Sequence, residues 1–329
     1  MRITHFLFVL LFMAQCQSKK EPEFLLRAGH LVNEDHTWFK AFEYFSQLVE
    51  ERSGGRVKVE NYHSEQLAKE IECIRLIKAG VVDITLTGST LTNWMDIVMF
   101  VEMPFLLRDS VDLKLVADGP IGQRINDEII EKVGLRPLCY FVRGPRHLTS
   151  NRPIRHPDDL NGLIVRVPIV PAYVTAWSAL GAKPTPMAFS EVFTSLQQGT
   201  IEAQENPFAM INNAGFAEVQ DYVNLTSHVV SWVYPVIGEE RFQSFPKDIQ
   251  EIIMEAARDM QRYESELFQR DQKAVQQILK DKGMEFIEVD KDAFGAKSKD
   301  AIYASLSPEM QAVYDEIIEL KRKRDEKTN

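Results

Sequence analysis

A long segment near the C-terminus, residues 247–282, contains neither glycine nor proline and therefore predicts one uninterrupted helix. At about 1.5 Å per residue this helix would be roughly 50 Å long, which is more than a single domain of ordinary size needs. We therefore predict two domains that share the helix as a brace. Its apolar residues recur at the spacing of one helix face, namely Ile249, Ile252, Ile253, Ala256, Met260, Tyr263, Leu267 and Ala274.

The N-terminal half alternates short strand candidates with helices, which predicts an α/β domain with a largely parallel sheet. Ser53-Gly54-Gly55 ends the first helix, where a left-handed residue is expected. A second α/β unit is predicted at residues 143–231. With 329 residues and 45% hydrophobic content, the chain has enough apolar material for two cores. The predicted strands are Phe24–Gly29, Val57–Tyr62 and residues 83–87, and the predicted helices are Thr37–Arg52 and residues 69–78.

One strand of the second unit carries an arginine where an apolar side chain is expected. In residues 163–168 the alternation of side chains places Arg166 on the same face as Ile164. A buried guanidinium needs a partner, and its planar fork fits a carboxylate with two parallel hydrogen bonds. Two partners would serve, an internal Asp or Glu side chain or the carboxylate of a bound ligand.

The segments around this strand carry a family resemblance. Residues 144–154, 163–168, 180–187 and 189–207 together closely resemble the extracytoplasmic solute-binding subunits of TRAP transporters, the DctP-like family. The resemblance extends over nearly the whole chain from residue 29 to the long C-terminal helix.

The resemblance implies both a fold and a function. The fold is the two-lobed α/β fold of periplasmic binding proteins, in which hinge strands join the lobes and a long helix runs along the back. On this basis residues 21–142 and 232–270 form lobe I, and residues 143–231 and 271–329 form lobe II. The implied function is that of an exported receptor, which closes on a small organic acid and delivers it to the membrane permease subunits. We expect a monomer that needs no cofactor.

The resemblance also implies residues of the ligand site. Arg166 stands where the family usually carries the arginine that pairs with the ligand carboxylate, and Arg146 matches a second arginine at the same end of the ligand. Asn206 offers both a donor and an acceptor to a carboxylate or a sugar hydroxyl, although an asparagine before proline is also an ordinary turn signal.

Three further residues are site candidates. Phe189 matches a position at which an aromatic ring covers the ligand, although a lone phenylalanine is as often part of a core. Glu70 matches an acid that faces ligand hydroxyls, but carboxylates in the first turn of a helix are also ordinary dipole partners. His30 lies near the end of the first strand, where open α/β sheets place their ligand crevice.

Differences between this chain and particular subfamilies indicate which kind of organic acid it binds. Where sialic-acid binders carry a glutamate, this chain has Gly88, so the acceptor oxygens of that glutamate are missing. Arg166-Val167-Pro168 with Pro171 is more similar to binders of sugar acids, such as hexuronates, aldonates and keto sugar acids, than to binders of C4-dicarboxylates.

Composition and motifs disfavour other functions. The net charge is −10 and Lys and Arg are dispersed, whereas nucleic acid demands a basic footprint. The chain has no nucleophile elbow, no phosphate loop, no dinucleotide fingerprint and no metal-ligand spacing, which disfavours a periplasmic enzyme acting on the same acids. A ligand sensor for a signalling receptor stays an alternative that sequence does not separate from transport.

Residues 1–20 are predicted to be a targeting segment. Arg2 supplies the positive start, and the apolar run at residues 6–14 is shorter than the roughly 20 residues of a membrane span, as in a secretory signal. Cys16 is followed by polar residues as at a lipoprotein processing site, but Gln15 departs from the small residue usual there. Lipid anchoring at Cys16 and ordinary cleavage nearby both stay open, and a periplasmic location is predicted in either case.

Two cysteines, Cys73 and Cys139, remain after processing. Cysteines of an exported protein can pair, yet a protein with a core of this size needs no cross-link. We therefore predict two buried, unpaired thiols.

Overall fold

The computed structural model describes residues 21–328, so the targeting segment and Cys16 lie outside the described residues. The strands are β1 (Phe24–Gly29), β2 (Val57–Tyr62), β3 (Ile84–Thr87), β4 (Leu135–Pro137), β5 (Phe141–Ser150), β6 (Ile164–Val167), β7 (Lys183–Pro186), β8 (Ala203–Pro207), β9 (Tyr222–Gly238) and β10 (Glu285–Ile287). The helices are α1 (Thr37–Arg52), α2 (Glu70–Lys78), α3 (Ser110–Ala117), α4 (Pro120–Glu128), α5 (Pro171–Ala179), α6 (Val192–Gln197), α7 (Phe208–Asn213), α8 (Glu239–Gln243), α9 (Lys247–Asp281), α10 (Lys291–Ser305) and α11 (Pro308–Thr328).

The predicted elements of the N-terminal half are confirmed, with bounds that agree to within one residue. The imidazole Nδ1 of His36 caps the start of α1 by accepting a hydrogen bond from the backbone N–H of Trp38 at 3.1 Å. The chain leaves the same helix through Gly54 and Gly55, whose φ angles are 62° and 79°. These left-handed conformations are the reason that glycine stands there.

The sheet has two halves that meet at two long strands. Its order is β2-β1-β3-β9-β5-β8-β6-β7, and β4 and β10 pair with opposite ends of β9. We call β2, β1, β3 and residues 234–237 of β9 the first half, and β5, β8, β6, β7 and residues 222–233 of β9 the second half. Pairing is parallel between β1 and its neighbours, between β6 and its neighbours and between β10 and β9, whereas β3, β4 and β5 each pair antiparallel with β9. The predicted α/β fold with two units and hinge strands is confirmed.

The long helix α9 contacts elements of both halves, as predicted for a brace. It packs against α1, whose core residues include Phe42 and Phe45, and against α7 and β5. Helix α10 packs on α5 in the second half, where Phe294 joins the core.

Helix α11 packs on α3, and its apolar residues Met310, Val313 and Ile317 join the core around Leu113. We had assigned residues 271–329 to lobe II, but α11 packs with elements that we assigned to lobe I. An amphipathic helix shows in its sequence that it docks, but not on which surface, so the lobe boundaries stay a prediction.

Neither Cys73 nor Cys139 is in a disulfide. The Cys73 thiol is buried as predicted, and burial raises its pKa to about 11, whereas Cys139 is only partly buried. None of the helices in residues 21–328 combines the length and the apolar character that a membrane crossing requires.

Candidate functional site

A cleft with about 520 Å³ of empty space, part of it open to solvent, lies between the two halves of the sheet. It lies at the carboxyl ends of β3, β6 and β8, where open α/β sheets bind ligands. Its lining residues are Leu31, Trp38, Glu70, Leu86, Thr87, Gly88, Ser89, Thr90, Glu102, Arg143, Arg146, Arg166, Pro168, Phe189, Asn206, Met210 and Val233.

Five of the six predicted site residues line this cleft. Glu70 comes from the start of α2 on the side of the first half, and the other four, Arg146, Arg166, Phe189 and Asn206, come from the second half. Residues as far apart in sequence as Glu70 and Asn206, which are 136 positions from each other, therefore meet around the same cleft.

His30 is the exception, because it does not line the cleft. Its ring packs against Phe42 of α1, at 4.2 Å between ring centroids, and its Nε2 lies 3.2 Å from Asn61 Oδ1. Burial in this apolar layer lowers the pKa of His30 to about 4, so it is a neutral core residue at physiological pH. The sequence showed that His30 follows a strand end, but the strand directs this side chain towards α1 instead of the cleft.

Arg166 is a buried cation that a backbone carbonyl holds in place. Its side chain is 4% exposed, and its Nε and Nη2 donate to the backbone carbonyl of Met187 at 3.1 and 2.7 Å. Among residues 21–328, no Asp or Glu side chain forms an ion pair with it. Burial lowers the pKa of Arg166 to about 10, so the guanidinium stays charged at neutral pH in an environment that disfavours charge.

Arg146, by contrast, has an internal partner. It is 2% exposed, and its Nε and Nη2 form a fork on the carboxylate of Glu205, with 2.7 Å between Nη2 and Oε1. His228 donates from Nε2 to the same carboxylate at 2.9 Å, and its Nδ1 accepts from the Thr226 hydroxyl at 2.8 Å. Burial would raise the pKa of Glu205, but the charge of Arg146 and the hydrogen bonds from His228 and Arg146 outweigh it and lower that pKa to about 2. Arg146 is therefore a buried residue of β5 and not an arginine on a surface loop.

An irregularity in β5 brings a third arginine into the cleft. Residues three positions apart in a regular strand point to opposite faces, yet Arg143 and Arg146 both line the cleft. The register with β9 shifts between these two residues, which is the usual way in which a bulge redirects a side chain.

Arg143 is paired with Glu102, a buried acid from the loop after β3. The carboxylate of Glu102 also accepts from the hydroxyls of Ser89 and, at 3.4 Å, Ser231. Its Oε1 lies 3.9 Å from Nη1 of Arg146. Arg143 and Arg146 thus each form an ion pair with an acid, whereas Arg166 forms none among residues 21–328.

Glu70 is the other ionisable group of the cleft that forms no ion pair among the described residues. Its Oε1 accepts from the Thr87 hydroxyl at 2.8 Å, and Thr90 is a second hydrogen-bond donor to it. Burial raises the pKa of the Glu70 carboxyl, and the two threonine hydrogen bonds counter that effect only in part. No basic side chain in the described part of the chain forms an ion pair with Glu70.

Asn206 and Phe189 complete the wall around Arg166. Asn206 is buried in β8 and donates from Nδ2 to Gln204 Oε1 at 2.7 Å, while Phe189 packs edge-on against Phe216. One amide and one ring face the same space as the unpaired guanidinium.

Glu102, Arg143, Glu205 and His228 were not predicted from the sequence. A signal for Glu205 was present, because Gln204-Glu205-Asn206 places three polar residues in a strand that is buried throughout. Such a strand can only be buried if its polar groups find partners within the protein or a ligand. No group of His, Cys, Asp and Glu side chains in residues 21–328 is arranged to hold a metal ion.

Comparison with known sequences gives one consistent family. The model of the DctP family, bacterial extracellular solute-binding protein family 7, matches residues 28–316. A solute-binding protein of Roseobacter denitrificans is 45% identical over 295 residues, which are 90% of this chain and 91% of that protein. The 2,3-diketo-L-gulonate-binding periplasmic protein YiaO of Escherichia coli is 31% identical over 272 residues, or 82% of this chain and 83% of YiaO.

Solved structures agree with the sequence comparison. A TRAP periplasmic solute-binding protein from Roseobacter denitrificans with bound L-galactonate matches with a TM-score of 0.89 at 44% identity, over 91% of this chain and 100% of that chain. A counterpart from Xanthobacter autotrophicus with bound β-D-galacturonate has a TM-score of 0.84 at 27% identity, over 89% of this chain and 98% of that chain.

Proposed function

The chain belongs to the DctP family of TRAP solute-binding proteins, and from this premise we propose that it captures a small sugar acid in the cleft between its two halves. The carboxylate of the acid pairs with Arg166, and the hydroxyl groups face Glu70 and its neighbours. The protein holds the acid and passes it on without chemical change.

The buried and unpaired guanidinium of Arg166 carries this proposal. A charge that lacks a counterion in a closed cleft attracts an anion strongly, because water no longer screens the interaction. The fork of the guanidinium matches the two oxygens of a carboxylate. The overall charge of −10 does not prevent this, since one close cation outweighs a diffuse negative field at short range.

The other site residues have complementary roles in this proposal. Asn206 donates to or accepts from the carboxylate end, and the ring of Phe189 covers the carbon skeleton. Arg146 is held by Glu205 and His228, so it adds a positive edge at the carboxylate end without being a free cation. His30 has no role in ligand binding.

The relatives favour a sugar acid over other anions. Structures of relatives contain L-galactonate and β-D-galacturonate, which both combine a carboxylate with several hydroxyls. The cleft offers the same combination of partners, a guanidinium at one wall and hydroxyl and carboxyl acceptors at the other.

The family is extracytoplasmic, and we propose the periplasm as the location and the TRAP membrane permease subunits as the partners. Cys16 is a candidate for lipid anchoring that would keep the receptor at the membrane, and mass spectrometry of the mature protein distinguishes that from ordinary cleavage.

A thermal-shift screen tests the proposed function. The panel contains aldonates, hexuronates, keto sugar acids, sialic acid and C4-dicarboxylates. A sugar acid at 100 times its dissociation constant should add about 2.7 kcal/mol of stability, a readily measured shift. The function is refuted if no sugar acid stabilises the protein at millimolar concentration, or if a bound acid is recovered as a different compound.

A further inference from the structure

The charges of the cleft are distributed unevenly between its two walls. On the side of the second half, Arg166 forms no ion pair with an acid among the described residues. On the side of the first half, Glu70 likewise forms no ion pair in residues 21–328, and its neighbour Glu102 is a second acid whose charge is offset by Arg143. The cleft therefore offers one cation and one acid, supplied by different elements, that have no ion-pair partner in the described part of the chain.

The wall around Glu70 is built to accept hydrogen bonds. The hydroxyls of Thr87 and Thr90 donate to Glu70, and that of Ser89 donates to Glu102, so these donors are already used. The carboxylate oxygens have lone pairs left for further donors. A ligand hydroxyl can supply such a donor, whereas a ligand carboxylate is itself only an acceptor.

Gly88 keeps this wall open. A Cβ at this position would lie 3.3 Å from Cγ1 of Val233 and 3.9 Å from Oε2 of Glu102, inside the cleft. Since glycine has no side chain, nothing at position 88 separates a ligand from Glu102, and nothing there supplies a positive charge or a donor for a second carboxylate.

We propose, on the basis of the proposed function, that this wall makes the protein selective for acids with a single carboxylate and hydroxyl groups elsewhere. The corresponding aldarates, which carry a carboxylate at both ends, are rejected. If one carboxylate occupies Arg166, the second faces Glu70 and Glu102, where it meets like charge and acceptors instead of donors. Glu70 is then a specificity-determining residue.

Matched pairs of acids test this selectivity. L-galactonate and galactarate differ only in whether the terminal carbon is a hydroxymethyl group or a carboxylate, and D-gluconate and D-glucarate differ in the same way. Calorimetry is done at several pH values from neutral to alkaline, because burial raises the pKa of Glu70 and the preference for the aldonate should grow as Glu70 loses its proton. Of the two aldonates, we expect the one with the higher affinity to bind at least about 100-fold more tightly than its aldarate. The reason is that two like charges held side by side lower the affinity by about two or more powers of ten.

The variant Glu70→Gln assigns the effect to one side chain. It keeps the size and the hydrogen-bonding capacity of Glu70 but removes its charge, so the preference for the aldonate should narrow by at least about 10-fold. Glu72→Gln is the control, because Glu72 lies on the same helix with an exposed side chain paired to Arg75, and it should leave the preference unchanged. Melting of each ligand-free variant verifies that it is folded.

The outcomes separate this inference from the proposed function. Equal binding of an aldonate and its aldarate overturns the selectivity and leaves the proposed function intact. Tight binding of an aldarate alone overturns the selectivity as well and identifies a dicarboxylate receptor. If neither member of any pair binds and the wider screen is also negative, the proposed function and the inference fall together. A preference that Glu70→Gln does not narrow removes Glu70 as its cause.

Discussion

The two arginines that the sequence marks as candidates differ in the counterion that the protein itself provides. Arg146 is neutralised by Glu205, a fully buried carboxylate that His228 also contacts. Arg166 donates to a backbone carbonyl and forms no ion pair in the described part of the chain. We therefore propose a structural contribution for the first and a ligand contact for the second, and mutation should separate these contributions.

We predict that Glu205→Gln destabilises the ligand-free protein by about 3 to 5 kcal/mol, because it removes the charge of the carboxylate that holds the buried guanidinium of Arg146 and leaves it the more distant Glu102, which is 3.9 Å away and shared with Arg143. Urea unfolding at neutral pH measures this change. Affinity for the sugar acid should not fall, since an additional uncompensated cation beside the carboxylate end favours an anion. Glu288→Gln, an exposed carboxylate elsewhere, is the control and should leave stability within about 0.5 kcal/mol of wild type. An unchanged stability of Glu205→Gln would show that the pair is not the anchor of Arg146.

The sequence could identify the buried arginines but not their partners. Arg166 was recognisable because it interrupts an apolar strand, and both an internal acid and a ligand were open as its partner. An internal acid exists, but this acid, Glu205, pairs with Arg146, from which it is separated by 59 positions in sequence. That contact depends on the pairing of β5 with β8, which is a property of the tertiary fold and leaves no local pattern.

At the scale of elements, the long helix α9 carries a buried carboxylate that ligand binding does not explain. Glu264 is 1% exposed, and its Oε1 accepts a hydrogen bond from the Thr37 hydroxyl at the start of α1, at 3.2 Å. Burial raises the pKa of Glu264 to about 8, which the hydrogen bond from Thr37 only partly opposes. The packing of α9 on α1 therefore depends on pH.

The direction of this dependence follows from linkage. Between the ordinary value of 4.5 and the folded value of about 8, the folded protein keeps a proton that the unfolded chain has lost. The contribution of Glu264 to stability is thus fully present below 4.5, falls as the pH rises through this window, and is constant above about 8.

We predict that Glu264→Gln removes this decline, because glutamine cannot lose a proton and still accepts from Thr37. The stability difference from wild type should grow between pH 5 and pH 8 and reach on the order of a few kcal/mol in favour of the variant. Urea unfolding of both proteins across this range provides the measurement. Glu266→Gln, an exposed position on the same helix, should show no such trend. A flat difference for Glu264→Gln would mean that Glu264 is already charged when folded.

The helices and strands were largely predictable, because each rests on a local signal. The bounds of α1 follow from its capping residues and those of α9 from an uninterrupted run of helix formers. The docking of α11 on α3 and the bulge in β5 were not predictable, since both depend on surfaces that only the folded chain presents.

At the scale of the whole molecule, the two halves touch on both sides of the cleft through polar contacts. Lys69 pairs with Glu191, and Asn33 exchanges hydrogen bonds with Asn213, including one of 3.4 Å from its backbone N–H. The ion pair is about half exposed, so salt screens it and it holds the halves together only weakly. In the proposed function, a ligand that contacts Arg166 on one side and Glu70 on the other is the stronger bridge, and we expect it to couple binding to closure.

The affinity of Arg166 variants for the sugar acid that stabilises the protein most, measured by calorimetry, tests the central claim most directly. Arg166→Lys keeps the charge but loses the planar fork, and Arg166→Ala removes the partner of the carboxylate. We predict a loss of about 2 to 5 kcal/mol for the alanine variant, roughly 30-fold to several-thousand-fold in affinity, with a smaller loss for lysine. The ligand-free stability should be unchanged or higher, because Arg166 has no internal counterion to lose. Arg136→Lys is the control, because Arg136 donates two hydrogen bonds to the carboxylate of Glu239 outside the cleft. This variant should lower the stability of the ligand-free protein without changing its affinity for the sugar acid. Unchanged affinity together with a strongly destabilised ligand-free Arg166→Ala would contradict the account, because Arg166 would then be a structural residue and not the ligand's partner.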